Sequence, residues 1–340
     1  MKKFISIVIV LIMVFTLAAC TGAATPEAPA EPAPAPAPEA PAETPADTGG
    51  DAIKIGFSLC SLISEFFELA QIGVNSEAAA QGVELVTVNA DGDAATQKKQ
   101  IEDLISAGCD AIIVISQDSD AIVSSAADCA AAGIPFLAIS RQPSDMTNVA
   151  LFIGFSNELS CNASVEALMV AAGDLSFEPV KAIHLIGDLN DTNAVERQTY
   201  YLAAAEKHGI EVVADVATEW DLDVCFNRLT DTVQTVGDFN AILSPSDFLL
   251  PSIMSVLAAR NEWVTYGEDG YNIIVSIDGS PDAIAMIKEG YLYATANNNA
   301  IEMGQIGIQK AVEIITGGAP ANNEYMIPVV AITSDIVDQF

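Results

Sequence analysis

"IKIGFSLCSLISEFFELAQIGVNSEAAAQGVELVTV", residues 53–88, holds two short apolar runs around one helical stretch. "IKIGF" and "VELVTV" are rich in β-branched and large apolar residues and five or six long, as buried strands are. Between them, "SEFFELA" (64–70) begins a run with helical spacing. A strand, a helix and a second strand in this order form a right-handed crossover unit of a parallel sheet. Phe66 and Phe67 lie about 100° apart on that helix, so the two rings cannot face the same core. One of them must face something else.

The same alternation continues along the chain. "AIIVI", "FLAI" and "ALFIG" follow in the first half, and "KAIHLI", "IEVVADV", "AILS", "NIIVSI" and "LYATA" in the second, each separated from the next by helical or polar sequence. Continuous apolar strands alternating with helices predict α/β architecture with parallel sheets covered on both faces. Ten or so strands are many for one sheet, and two doubly wound halves are the simpler solution. Ligands of such sheets sit beyond the carboxyl ends of the strands.

That rule selects candidates: Ser58 to Phe67 (Ser64, Phe66 and Phe67 among them), Asp91, Ser116 to Asp118, and Ser140-Arg141-Gln142 in the first half. From the second come "GDLNDTNA" (187–194), Trp220, Ser246-Asp247, Asp278 and Asn297-Asn298. Arg141 offers a planar fork for two hydroxyls or a carboxylate, or is a surface arginine at a loop start. Trp220 suits the C–H face of a flat ring, or packs over a helix end. In "DGSP" (278–281), Pro281 fits the first helical position with Ser280 as cap, leaving Asp278 to accept hydrogen bonds or to form an Asx-turn. Asn193 is either a site residue or the cap of the next helix. The Asn298 amide can donate and accept at once, as alternating hydroxyls require.

Composition narrows the class. The formal charge is −33, and removal of Lys2 and Lys3 would take it to −35. Such a surface disfavours nucleic acid and anionic lipid headgroups as partners. Lys2 and Lys3 precede an apolar run from Phe4 to Leu17 and then "LAAC" (17–20), the pattern of an export signal. "LAAC" resembles a bacterial lipobox, which implies a signal peptide over 1–19 and a lipidated Cys20. Residues 21–51 hold eight of the 16 prolines and no basic residue. They read as a semi-extended spacer of about 3 Å per residue, spanning up to about 90 Å. Beyond Cys20 the thiols are Cys60, Cys109, Cys129, Cys161 and Cys225, an odd and unclustered set that reads as small buried hydrophobes rather than a metal or disulfide framework.

Signatures of catalysis are absent from the sequence. It has no G-x-S-x-G, H-E-x-x-H, G-x-x-x-x-G-K or C-x-x-C. His184 sits inside the apolar "KAIHLI", as a core histidine does. "DLNDTN" departs from a calcium loop at Asn193 and Thr199. The reading is a protein without catalysis, metal or cofactor.

"IGFS", "SEFFELAQIGVNSEAAAQGVEL", "SAGCDAIIVISQDSDAI", "AGIPFLAISRQ", "FIGFSNELS" and "IDGSPDAIAMIKEGYLYATANNN" together resemble the sugar-binding periplasmic proteins of the ribose and xylose type, over about residues 52–325. The resemblance implies two Rossmann-like lobes joined by three hinge crossings: 52–155 with about 299–325, and 156–298 with about 326–340. It further implies closure on a monosaccharide, delivery to an ABC permease, a chemoreceptor or sensor as a further partner in some members, and a monomer held outside the cytoplasm by its lipid alone. By motif, one ring of Phe66 and Phe67 would cover the sugar, Trp220 would face it from the other lobe, and Arg141, Asp278 and Asn298 would read its hydroxyls. The sequence departs from the ribose pattern at Ser140, Val195 and Ser246, and in a longer stretch between "GFS" and "FF". Xylose, another pentose, a hexose or a polyol fits no worse than ribose. A nucleoside or furanosyl-signal receptor is the first alternative on this fold, and a surface carbohydrate hydrolase the second.

Overall fold

The computed structural model describes residues 52–340; the export signal, Cys20 and the proline-rich spacer lie outside the described residues. The first half begins β1 (Lys54–Leu59), α1 (Glu65–Gln81), β2 (Glu84–Asn89), α2 (Ala94–Ser106), β3 (Ala111–Val114), α3 (Ile122–Ala131), β4 (Phe136–Ile139) and β5 (Leu151–Phe155). The second half runs α4 (Asn157–Leu175), β6 (Lys181–Ile186), α5 (Thr192–His208), β7 (Glu211–Ala217), α6 (Leu222–Val233), β8 (Ala241–Leu243), α7 (Leu250–Ala259), β9 (Ile273–Asp278), α8 (Pro281–Glu289) and β10 (Ala294–Asn297). The chain then returns to the first half with α9 (Ala300–Gly317) and β11 (Glu324–Ile327), and ends on the second with β12 (Val330–Thr333).

Each half is a six-stranded sheet, ordered β11-β5-β4-β3-β1-β2 and β12-β10-β9-β8-β6-β7. The central strands are apolar on both faces because helices cover both. In the first half, Ile55, Phe57, Ile113 and Ile139 pack with residues of α1 and α9 on one side, while Ile112, Val114 and Phe136 pack with residues of α2 and α3 on the other. In the second half, α4 and α5 cover one face, and α6, α7 and α8 the other. One pair departs from the parallel expectation: β12 runs antiparallel to β10. It enters the second sheet straight from β11 of the other half, through the last crossing, so its direction is set by that crossing rather than by a helix packed on its own sheet. The chain passes between the halves three times, at 155–157, 297–300 and 327–330.

Residues set aside as structural behave so. The five described cysteines are free and buried. His184 is fully buried, with Nδ1 2.8 Å from Asp215, and burial holds its pKa below the usual imidazole value.

Candidate functional site

The carboxyl ends of both sheets meet at a cavity of about 500 Å³. Nine of the ten singled-out residues line it: Ser64, Phe66, Phe67, Ser140 and Arg141 from the first half, and Asn193, Trp220, Ser246 and Asp278 from the second.

Ser64 is the extended residue before α1, and its hydroxyl makes no capping bond, so it is left to the cavity. The rings of Phe66 and Phe67 stand perpendicular, centroids 5.8 Å apart. Phe67 packs into the core, and the Arg141 guanidinium covers its face at 5.2 Å. Phe66 is half-buried and carries no such cover. It is therefore the second ring that turns toward the core, and the first that is offered to the cavity.

Arg141 is 8% exposed and largely committed. Its Nη1 donates to the carbonyls of Ser116 (3.0 Å) and Gln117 (3.3 Å), and its Nε lies 3.0 Å from Asp191 Oδ2. Only Nη2 remains without a protein partner among the described residues. Asp191 is the hub of this wall. It caps α5 by accepting from the Asn193 backbone N–H at 2.9 Å, and it accepts from Trp220 Nε1 at 3.1 Å. The capping role that the sequence offers to Asn193 therefore belongs to Asp191, two residues earlier. Asn193 lies inside the helix, where its Nδ2 donates to the Ser140 carbonyl at 3.0 Å and its Oδ1 accepts from Asn157 at 2.9 Å. Asp191–Arg141 and Asn193–Ser140 both join one half to the other. Ser119–Asn190 and Thr192–Gln142 add two more such bonds beside them.

Arg197, one turn beyond Asn193 on α5, is a cavity residue that the strand-end rule did not select. It is 7% exposed, donating through Nε to Asn157 (2.8 Å) and through Nη1 to the Pro245 carbonyl (2.6 Å). Its Nη1 lies 3.7 Å from Asp278. Val195, where the resemblance placed a second arginine, is 43% exposed, because a helix turns two successive positions away from each other's face. The signal was present: Asn193 and Arg197 are spaced i, i+4, which puts them on one face.

Asp278 ends β9 and accepts a short hydrogen bond from Ser246 Oγ. Burial pushes its carboxyl up, while the Arg197 guanidinium pulls it down. Behind it Asp247 accepts from the Ser280 backbone and from Thr295 Oγ1, and burial together with Asp278 pushes it up to about 7. Ser280 caps α8 as the sequence suggests.

Asn298 does not reach the cavity wall. It is 1% exposed, its Oδ1 accepts from Ser160 on α4 at 3.2 Å, and its Nδ2 has no hydrogen-bond partner among the described residues. Its backbone N–H bonds the Asp278 carbonyl, and the side chain turns toward α4 instead. Of its two neighbours, Asn299 caps α9 and Asn297 packs beside Gly279.

Trp220 half-covers the second core, and its indole lies over Gly187, where an added Cβ would stand 2.2 Å from Cζ2. Any side chain at 187 would push the ring away. Positive φ angles cluster at the same place. Seven described non-glycine residues have them, and five (Asp91, Ser140, Glu219, Trp220 and Asp278) line the cavity. Such conformations cost about 1–3 kcal/mol each and persist where the surroundings over-determine them, commonly at ligand clamps.

Residues 55–319 match the periplasmic binding protein domain family, and the chain belongs to that family. It is 26% identical over 263 residues to a ribose import binding protein of Bacillus subtilis, covering 77% of this chain and 82% of the relative. It is also 26% identical over 300 residues to a putative rhizopine-binding protein of Rhizobium meliloti, covering 85% and 93%. A solved ABC transporter solute-binding protein of Bacillus halodurans, with bound myo-inositol, superposes with a TM-score of 0.76 at 25% identity, over 86% of this chain and 98% of that one. The family acts outside the cytoplasm as the solute-binding part of transport systems, and its members are not enzymes.

Proposed function

We propose that the protein captures a monosaccharide or polyol between its two lobes and presents it to an ABC permease. One observation carries the reading: the cavity sets a half-buried ring from each half, Phe66 and Trp220, around two buried arginines and a buried carboxylate. Each arginine is held by protein acceptors yet keeps one Nη2 group for a ligand. Rings suit the C–H faces of a sugar, and charged groups fixed beforehand suit its hydroxyls. Phe66, Trp220, Arg141, Arg197, Asp278, Ser64 and Ser246 are the assigned contacts. Asn193 and Ser140 act by joining the lobes, and Asn298 supports Asp278 from behind. The relatives' names, ribose and rhizopine, and the myo-inositol of the solved structure all point to polyhydroxylated rings.

The three connections form the hinge of a clamp, with lobes at 52–155 with about 299–325 and 156–298 with about 326–340. A ligand that bonds both lobes gains its full contact energy only in the closed form. Micromolar capture needs about 8 kcal/mol, within reach of two stacked rings and several charge-assisted bonds. Lipid on Cys20 and the 21–51 spacer would tether this monomeric clamp at the membrane, within reach of its permease and of any sensor that reads its closure.

A thermal-shift panel of pentoses, hexoses, polyols and nucleosides tests the reading. A ligand at 100 times its dissociation constant stabilises by about 2.7 kcal/mol, a clear rise in melting temperature. Shifts confined to nucleosides would replace the sugar reading with a nucleoside one.

A further inference from the structure

We infer that Ser119 and Thr192 form a latch that holds the two halves together from outside the ligand cavity, and so scales affinity for every ligand alike while touching none. The inference rests on the two-lobe capture proposed above and adds positioning residues to it.

The latch starts at a helix end. The first four backbone N–H groups of a helix have no partner in its own ladder. At the start of α5, Asp191 N–H bonds the Asp188 carbonyl, Asn193 N–H the Asp191 carboxylate, and Ala194 N–H the Asp191 carbonyl. Thr192 N–H is left over, and its acceptor comes from the other half: Ser119 Oγ, at 3.2 Å. The same Ser119 hydroxyl lies 3.4 Å from Thr192 Oγ1, and Thr192 Oγ1 donates to the Gln142 carbonyl at 2.8 Å. Ser119 N–H donates to the Asn190 carbonyl at 3.1 Å. Ser119 is itself fixed, being 3% exposed with its carbonyl accepting from Ser144 N–H at 2.9 Å. Neither Ser119 nor Thr192 lines the ligand cavity; both line a separate recess beside it. Among the described residues, every hydrogen bond or ion pair that joins the halves across the cleft ends on residues 190–193. This short segment is therefore the fastening, and Ser119 with Thr192 is the part of it that a ligand cannot reach. When the halves separate, water takes over these groups, so their bonds weight only the joined form. Shifting that population multiplies each ligand's apparent affinity by one common factor.

Calorimetric titration with D-ribose, D-xylose and myo-inositol tests the inference on the parent, Thr192→Val, Ser119→Ala and the double variant. Valine keeps the size and branching of threonine, and alanine removes one oxygen, so the fold is left in place. A net hydrogen bond is worth about 2- to 12-fold in an equilibrium. Each single variant should weaken every probe that binds by a factor in that range, the double variant by more, and the ratios between probes should stay as in the parent. Unchanged binding in the double variant would overturn the latch while leaving the sugar reading intact. So would weakening that differs among probes, because it would place these side chains against the ligand. A second test needs no ligand. Ser119→Cys/Thr192→Cys sets two thiols where the hydroxyl oxygens lie 3.4 Å apart, and the five described native thiols are buried. Oxidised glutathione should join the new pair into a disulfide that bridges the halves. If no probe binds, the sugar reading falls and this cross-link alone decides the latch: its absence overturns it.

Discussion

Replacing Asp191 by Asn separates closure from folding. In the structure this carboxylate accepts from the α5 backbone, from Trp220 and from Arg141 of the opposite half, and it is 3% exposed. Asn is as good a helix cap as Asp, so α5 keeps its start. What Asn removes is the charge that meets Arg141 and, since its one oxygen keeps the cap, the acceptor shared by Arg141 and Trp220, both of which then face an amide NH₂. Were the halves fixed together, stranding a buried guanidinium would cost about 3–5 kcal/mol. Here opening the cleft rehydrates both groups, so the loss is closer to one charge-assisted hydrogen bond, about 1.5–3 kcal/mol. The Arg141 part falls on the closed state alone, whereas the Trp220 bond, made within one half, is lost from the open and closed forms alike. At about 1.4 kcal/mol per tenfold, ligand affinity should drop about 10- to 150-fold in Asp191→Asn, while stability falls only by the Trp220 bond, about 0.5–1.5 kcal/mol. Asp191→Ala should lose affinity and, with the cap gone, a further 0.5–2 kcal/mol or so of stability. Calorimetry with the ligand found by the panel, with chemical denaturation of both variants, reads the two effects apart. Asp191→Asn binding within twofold of the parent would refute the idea that this pair holds the lobes together.

Other substitutions probe the remaining parts. Arg197→Ala should weaken binding about 10- to 150-fold through one lost charge-assisted bond, whereas Val195→Ala should change little; equal effects would remove Arg197 from the site. Gly187→Val should displace the Trp220 indole from its seat and weaken every ligand, as Trp220→Ala does, with the fold retained by circular dichroism; a Gly187→Val protein binding normally would contradict the stacking role. Asp247, raised to about 7 by burial and by Asp278, keeps its proton in the folded state while the unfolded chain gives it up near 3.8. That contribution to stability is full below about pH 3.8 and lost as pH rises through about 7, so Asp247→Asn should flatten this decline; identical pH slopes by chemical denaturation would refute the shift. Burial pushes Cys129 and Cys225 up to about 12 and raises Cys60, Cys109 and Cys161 as well. A thiol reagent should therefore find these five only after unfolding, and rapid labelling of the native protein would show the burial to be wrong.

The strand-helix alternation made the two sheets legible, because strands buried on both faces are largely apolar, as "IKIGF" and "NIIVSI" are apart from Lys54, Asn272 and Ser276. Arg141, Trp220 and Asp278 could be selected since each stands just beyond a strand, where such sheets open. Arg197 escaped the same rule because it projects from the side of α5, a turn inside the helix; helical spacing from Asn193, not strand ends, was the informative signal. Asp191 was visible as a residue of "NDTNA", but its bonds to Arg141 and Trp220 join segments 50 and 29 positions away, which no local pattern records. The three asparagines at 297–299 are identical in type, and only the path of the backbone between halves decides which one caps, which one packs and which one turns to α4. The antiparallel β12 was hidden for a similar reason, since its direction follows from the last crossing rather than from its own residues.

The most direct measurement is a crystal structure of the protein grown with the sugar or polyol that stabilises it most. The account predicts closed lobes, one ligand ring between Phe66 and Trp220, and hydrogen bonds from Arg141 and Arg197 to its hydroxyls with Asp278 accepting. Ligand density outside this cavity, or within it but touching only one lobe and neither ring, would contradict it.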